Sequence, residues 1–239
     1  MAELILAADI SLKNAIEDMA QEYSADTGDQ LKVIYGESTY LAGELASGKI
    51  TADVFIPSAM YPVDDLIAVG KVNPALVQPF LGNRLVIIQK TGSGLTNISC
   101  FKHINAKTVD TAKVKMYMAN PDEPVNVPAG RYTHTTFDYD GNWDFVAANV
   151  QMLNNTTAVL DAVAGAPGAA LGIVYFSDAI SRPNEVSILG MAPEFVNAEI
   201  AYPIARINGG NSLYVTKFIY HIKTIGVNYF RRRGFTEVN

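Results

Sequence analysis

Twice within its first fifty residues the chain runs from a short apolar segment, through a polar corner bearing a hydroxyl, into a segment with apolar residues every three or four positions. The first pass is Leu4 to Ala8, then Ser11, then Leu12, Ala15, Ile16, Met19, Ala20 and Tyr23 along one helical stripe. The second is Leu31 to Tyr35, the corner Gly36-Glu37-Ser38-Thr39, then Leu41, Ala42 and Leu45. An apolar run of this length suits a strand covered on both faces. Strands alternating with helices need crossover connections, and these make a parallel sheet with helices against it. The pattern therefore constrains the chain to the α/β class.

The same alternation continues. Ala52 to Ile56 reads as a third buried strand with Pro57-Ser58-Ala59 as its exit, and Val63 to Val69 as a helix stopped by Gly70. Leu85 to Gln89 is β-rich, and the chain is polar and irregular from Thr91 to Lys113. A strand is expected over Val114 to Ala119, followed by a loop over Asn120 to Val127. Pro128-Ala129-Gly130 opens a helix, with proline suited to the first turn. Asn142-Trp143-Asp144 reads as a loop-to-helix join with Trp143 as a packing residue. A helix from Asn155 to Ala164, a strand from Ala170 to Tyr175 and a short helix from Phe176 come next. The chain then returns as a strand over Ala198 to Ile207, interrupted at Pro203, and closes with a helix over Leu213 to Phe230. The expected organisation is two lobes, 1–81 with 201–239 and 82–200, each a mainly parallel sheet flanked by helices.

Composition narrows the function classes. At 239 residues, half of them apolar, the chain buries a substantial core. A formal charge of −6 argues against nucleic acid as a partner, which needs a basic face, though neutral donors can still bind a small anion locally. The one basic run, Arg231-Arg232-Arg233, suits the end of the last helix. A single cysteine, Cys100, gives no intrachain disulfide and no cysteine metal site. His103, His134 and His221 lie too far apart in sequence to suggest a shared metal. No nucleophile elbow, phosphate loop or dinucleotide fingerprint occurs, so neither catalysis nor a cofactor is expected. No apolar stretch reaches transmembrane length. Met1-Ala2 leads straight into the first strand without a signal peptide, so the expectation is a cytoplasmic chain or a mature exported domain whose leader has been replaced.

Four helix starts are preceded by small neutral donors: Ser11, Ser38-Thr39, Pro128-Ala129-Gly130 and Asn154-Asn155-Thr156. Helix capping explains each one separately, with Ser11 as the cap of the first helix. Amides and hydroxyls beyond the carboxyl ends of parallel strands also suit an anionic ligand. Whether the four converge cannot be read from spacing.

Ala8-Asp9-Ile10-Ser11-Leu12, Tyr35-Gly36-Glu37-Ser38-Thr39-Tyr40-Leu41-Ala42 and Ala52-Asp53-Val54-Phe55-Ile56-Pro57-Ser58-Ala59 resemble successive motifs of the periplasmic molybdate-binding proteins of ABC transporters. The match continues in order through Leu81-Gly82-Asn83-Arg84-Leu85-Val86, Val127-Pro128-Ala129-Gly130, Leu171-Gly172-Ile173-Val174-Tyr175-Phe176-Ser177-Asp178-Ala179 and Arg233-Gly234-Phe235. It covers essentially the whole chain. The resemblance implies a type II periplasmic-binding-protein fold, two α/β lobes joined by two crossover strands with a tetrahedral oxyanion in the cleft. It implies that Ser11 and Ser38 each give a hydroxyl and an amide, that Ala129 gives its amide, that Thr156 or else Asn155 gives another, and that Tyr175 gives its phenol. The implied ligand is molybdate or tungstate, bound without a bare metal cation or a cofactor. The implied partner is a membrane permease, and the implied state is a periplasmic, or lipid-anchored extracellular, monomer.

Two residues depart from the family pattern. Asp9 and Ile10 stand where the family has a run of alanines, and Glu37 precedes Ser38 in a corner normally rich in serine. The plain expectation is that both carboxylates turn outward, or that one of them pairs with a neighbouring cation. The alternative is a binding or sensing protein for another small ligand, such as sulfate, chromate, a phosphate-like anion or one bearing an amine, because a carboxylate accepts a hydrogen bond that a bare dianion cannot offer.

Overall fold

The computed structural model describes residues 3–122, 125–208 and 212–238. Met1-Ala2, expected to lead into the first strand, and residues 123–124 of the expected loop lie outside them. In chain order the elements are β1 (Glu3–Asp9), α1 (Lys13–Thr27), β2 (Gln30–Gly36), α2 (Ser38–Ser47), β3 (Val54–Ile56), α3 (Tyr61–Ala68), β4 (Gln78–Gly82) and β5 (Leu85–Lys90). They continue with β6 (Lys115–Ala119), α4 (Pro128–Tyr139), α5 (Trp143–Asn149), β7 (Val150–Leu153), α6 (Thr156–Gly165), β8 (Ala170–Tyr175), α7 (Phe176–Ser181) and β9 (Val186–Met191). The last are α8 (Glu194–Asn197), β10 (Ala201–Arg206), α9 (Ser212–His221), α10 (Val227–Arg232) and β11 (Thr236–Glu237). The chain falls into two compact units, 1–82 with 201–239 and 83–200.

The first unit is built on a six-stranded sheet in the order β11-β4-β10-β3-β1-β2. Ala7, Leu41, Leu45, Phe55, Val63 and Leu66 form a core cluster between the sheet and helices α2 and α3. Tyr23 of α1 meets Phe218 of α9 edge to face at 5.4 Å. Gly28 and Gly48 end α1 and α2 at φ 72° and 75°, the left-handed conformation that only glycine adopts without steric cost. The second unit is a five-stranded sheet in the order β7-β6-β8-β5-β9. Val86, Ile88, Val159, Leu160, Val163 and Val174 form its core against α6. Each of the Val, Leu, Ile and Phe side chains among these, fully buried, stabilises its unit by roughly 1.5–3 kcal/mol.

Both sheets are mixed, where the alternation of strands and helices pointed to mainly parallel ones. β1 pairs parallel with β2 and β3, and β6 parallel with β7 and β8. These are the strands joined through helices. β10 and β11 run antiparallel to their neighbours, as does β5 to β8 and β9. They enter their sheets where the chain crosses between units or ends, and no crossover helix dictates their direction there. β10 remains one strand through Pro203, and its register against β4 shifts between Tyr202 and Pro203 to absorb the missing amide donor. The closing helix is broken by a π-helical segment, Ile222–Gly226.

Gly130 fixes where α4 begins. A Cβ at this position would stand 2.6 Å from the Ala119 carbonyl oxygen and 2.7 Å from backbone atoms of Asn120 and Pro121. The first turn of α4 is thereby pressed onto the end of β6. Gly130→Ala is expected to destabilise the protein by about 1–3 kcal/mol, because backbone rather than a flexible side chain must give way. Denaturant unfolding of the two proteins checks this.

Candidate functional site

Strands β3, β1 and β2 lie side by side and parallel, with Asp9 in register with Gly36 and Ala8 with Ile56. Their carboxyl ends form one edge of the first unit. Two residues past the last strand residue the chain places a serine each time: Ser11, Ser38 and Ser58. All three are buried, at 8%, 0% and 1% exposure.

Asp9 gathers them. Its side chain is only 4% exposed, so it has turned inward, contrary to the plain expectation from sequence. Oδ1 accepts hydrogen bonds from the Ser11 amide at 3.0 Å and the Ser11 hydroxyl at 2.6 Å. Oδ2 accepts from the Ser38 hydroxyl at 2.5 Å and the Ser58 hydroxyl at 3.0 Å. The Ser58 amide donates to Ser38 Oγ at 2.9 Å, and the Tyr202 hydroxyl lies 3.1 Å from Ser11 Oγ. Four donors match the acceptor capacity of one carboxylate. Among the described residues no Lys or Arg forms an ion pair with Asp9.

The cap assignments differ from the sequence reading for the same reason. Asp9 caps the 3₁₀ turn Ile10–Leu12 that opens into α1, and Ser11 sits inside that turn. Glu37 caps α2, its Oε2 accepting from the amides of Thr39 at 2.9 Å and Tyr40 at 3.0 Å. Neither carboxylate is paired with a cation among the described residues.

The second unit repeats the geometry with different donors. β7, β6 and β8 are adjacent and parallel, and Ala119 is in register with Leu153. The Val127 amide donates to the Asn120 carbonyl at 2.8 Å, so the loop after β6 returns to the strand end and starts α4 there. Pro128 occupies the first turn, no side chain caps it, and Ala129 is 1% exposed. α6 starts at Thr156, itself 3% exposed, and the Asn155 side chain caps it by accepting from the Ala158 amide at 2.7 Å. Tyr175 ends β8 and flanks α7, 1% exposed.

The candidate residues thus fall into two groups, each at the carboxyl edge of three parallel strands: Ser11 and Ser38 on one unit, Ala129, Thr156 and Tyr175 on the other. Ser58 and Tyr202 join the first group, and the sequence reading does not single them out. The signal for Ser58 is present, since it stands at the same offset from its strand as Ser11 and Ser38. Tyr202 arrives from a strand far along the chain, and no local pattern marks it. Among the described residues no group of His, Cys, Asp or Glu could hold a metal ion, and no helix is long and apolar enough to cross a membrane.

A family model described as bacterial extracellular solute-binding protein matches residues 4–236. The molybdate-binding protein ModA of Escherichia coli K12 is 28% identical over 235 residues, 98% of this chain and 89% of that one. The substrate-binding domain of a putative molybdenum ABC transporter from Clostridium difficile superposes with a TM-score of 0.77 at 23% identity, covering 100% of both chains. The sulfate-binding protein SubI of Mycobacterium tuberculosis H37Rv superposes with a TM-score of 0.79 at 17% identity, over 100% of this chain and 88% of its own.

Glu37 sets a pH signature for this edge. Burial, and then the charge of Asp9, push its carboxyl up to about 8 from an ordinary 4.5, against the amides of Tyr40, Thr39 and Ser38, which favour the anion. Its Oε1 is buried without a hydrogen-bond partner among the described residues. Between about pH 4.5 and pH 8 the folded chain holds a proton here that the unfolded chain has released, so stability falls as pH rises through that window. Glu37→Gln keeps a capping oxygen and cannot ionise. Its advantage over the natural chain is expected to grow across the window and stay level outside it. At about 1.4 kcal/mol per pH unit the window corresponds to at most about 4–5 kcal/mol, and each kcal/mol shifts Tm by roughly 2–4 °C in a chain of this length. Thermal unfolding of both proteins at several pH values measures it.

Proposed function

The chain belongs to the bacterial extracellular solute-binding protein family, and we propose that it captures a tetrahedral oxyanion, molybdate or tungstate, outside the cytoplasm and delivers it to the permease of an ABC transporter. The observation that carries this reading is the donor ring of the first unit. Three serine hydroxyls and one amide hold the Asp9 carboxylate with no ion-pairing Lys or Arg among the described residues, so this edge stabilises negative charge by neutral donors alone, and a ligand oxyanion would compete with Asp9 for them. Neutral donors suit an oxyanion that must be released again, because each contributes modestly and none locks the ligand as a full counter-charge does.

In this reading the ligand-binding groups of the second unit are the Ala129 amide at the uncapped start of α4, the Thr156 helix start and the Tyr175 phenol. Nothing reacts; the chain binds and hands over its cargo as a monomer. The molybdate-binding relative at 28% identity supports the choice of oxyanion.

Titration calorimetry against molybdate, tungstate, sulfate and phosphate tests the reading. Binding of molybdate or tungstate is expected, and no heat with any of the four anions would refute it. Tyr175→Phe, which removes one donor to a charged ligand, is expected to weaken binding by about 1–3 kcal/mol.

A further inference from the structure

On the edge of the first unit the donors that an oxyanion needs are already taken. A serine hydroxyl carries one proton. Those of Ser11, Ser38 and Ser58 point at Asp9, as does the Ser11 amide. The amides of Thr39 and Tyr40, and with them that of Ser38, are held by Glu37. The Ser58 amide goes to Ser38 Oγ. What these groups have left for an incoming molecule is oxygen lone pairs. The edge also bears the Asp9 carboxylate and, beside it, the Glu37 carboxyl.

We infer that Asp9 is a specificity-determining residue, a resident anion in the donor ring that disfavours bare dianions and favours oxyanions bringing a proton of their own. The inference rests on the proposed oxyanion reading. A fully deprotonated ligand such as molybdate gains the three hydroxyl protons only by displacing the Asp9 carboxylate, and it meets that negative charge as it does so. A ligand bearing an X–OH group, such as hydrogen arsenate, can donate to a serine oxygen and leave the ring intact. Displacement of the carboxylate has its own cost. Asp9 is buried, and a buried carboxylate stripped of its hydrogen bonds is strongly disfavoured unless it reaches water.

The experiment compares the natural chain with Asp9→Ala and Asp9→Asn by titration calorimetry with molybdate and with hydrogen arsenate at neutral pH. Asp9→Ala frees the serine protons and removes the charge. It is expected to bind molybdate roughly tenfold or more tightly than the natural chain, with a smaller gain or a loss for hydrogen arsenate. Asp9→Asn keeps the shape of the side chain and is expected to change in the same direction. It carries the test alone if the alanine variant does not unfold cooperatively. Molybdate affinity that is unchanged or weaker in the folded variants, or an equal gain for both anions, overturns the inference while leaving oxyanion capture standing. Absence of heat with both anions in all three proteins overturns the oxyanion reading and this inference together.

Discussion

A carboxylate withdrawn from water to a few per cent exposure costs several kcal/mol unless hydrogen bonds replace its hydration. Asp9 meets that condition by drawing in the three strand ends beside it. Its two oxygens hold the turn after β1, the first residue of α2 and the exit of β3, all within hydrogen-bond reach. The parallel pairing of β1 with β2 and β3 brings the three corners into register, and the carboxylate then sets the direction of each hydroxyl. Removing Asp9 would free the donors, and removing any one serine would leave the carboxylate short of a partner in a dry place. The edge is therefore coupled, and its members are not independent contributions that add.

The two units share one device and load it differently. In each, three adjacent parallel strands end together, and the corners that leave them lie along that edge. In the first unit those corners hold serines and acids, and the Asp9 carboxylate and the serine hydroxyls satisfy one another. In the second they hold a proline-led helix start without a side-chain cap, an asparagine-capped start and a tyrosine. The first edge is closed on itself and carries negative charge. The second offers main-chain amides of a helix start, partial positive charges that no side chain in that turn neutralises. The difference lies in a handful of residues at the ends of otherwise similar strands.

Much of this is legible in the chain alone. Buried strands such as Leu4 to Ala8 and helices such as α4 announce themselves by hydrophobic period and by glycine or proline at their ends, because these are local requirements. Ser11 and Ser38 stand out for the same reason. β4, β7 and β9 do not: β7 and β9 are edge strands, half exposed, and β4 carries Pro79, so their periodicity is weak. The inward turn of Asp9 runs against the sequence expectation because an acid beside a turn is usually solvated. Whether it turns in depends on partners from residues 38 and 58, which only the register of three strands supplies.

The first unit is discontinuous in sequence, and the second is not. β10 lies between β3 and β4, so the sheet of the first unit lacks an interior strand until residues beyond 200 have been made. The segment 83–200 holds all five strands of its own sheet in one stretch. During synthesis the middle of the chain can therefore finish folding while its beginning waits for its end. Through that interval the halves of the first core, with β3 lacking a neighbour on one side, are the aggregation-prone part of the molecule.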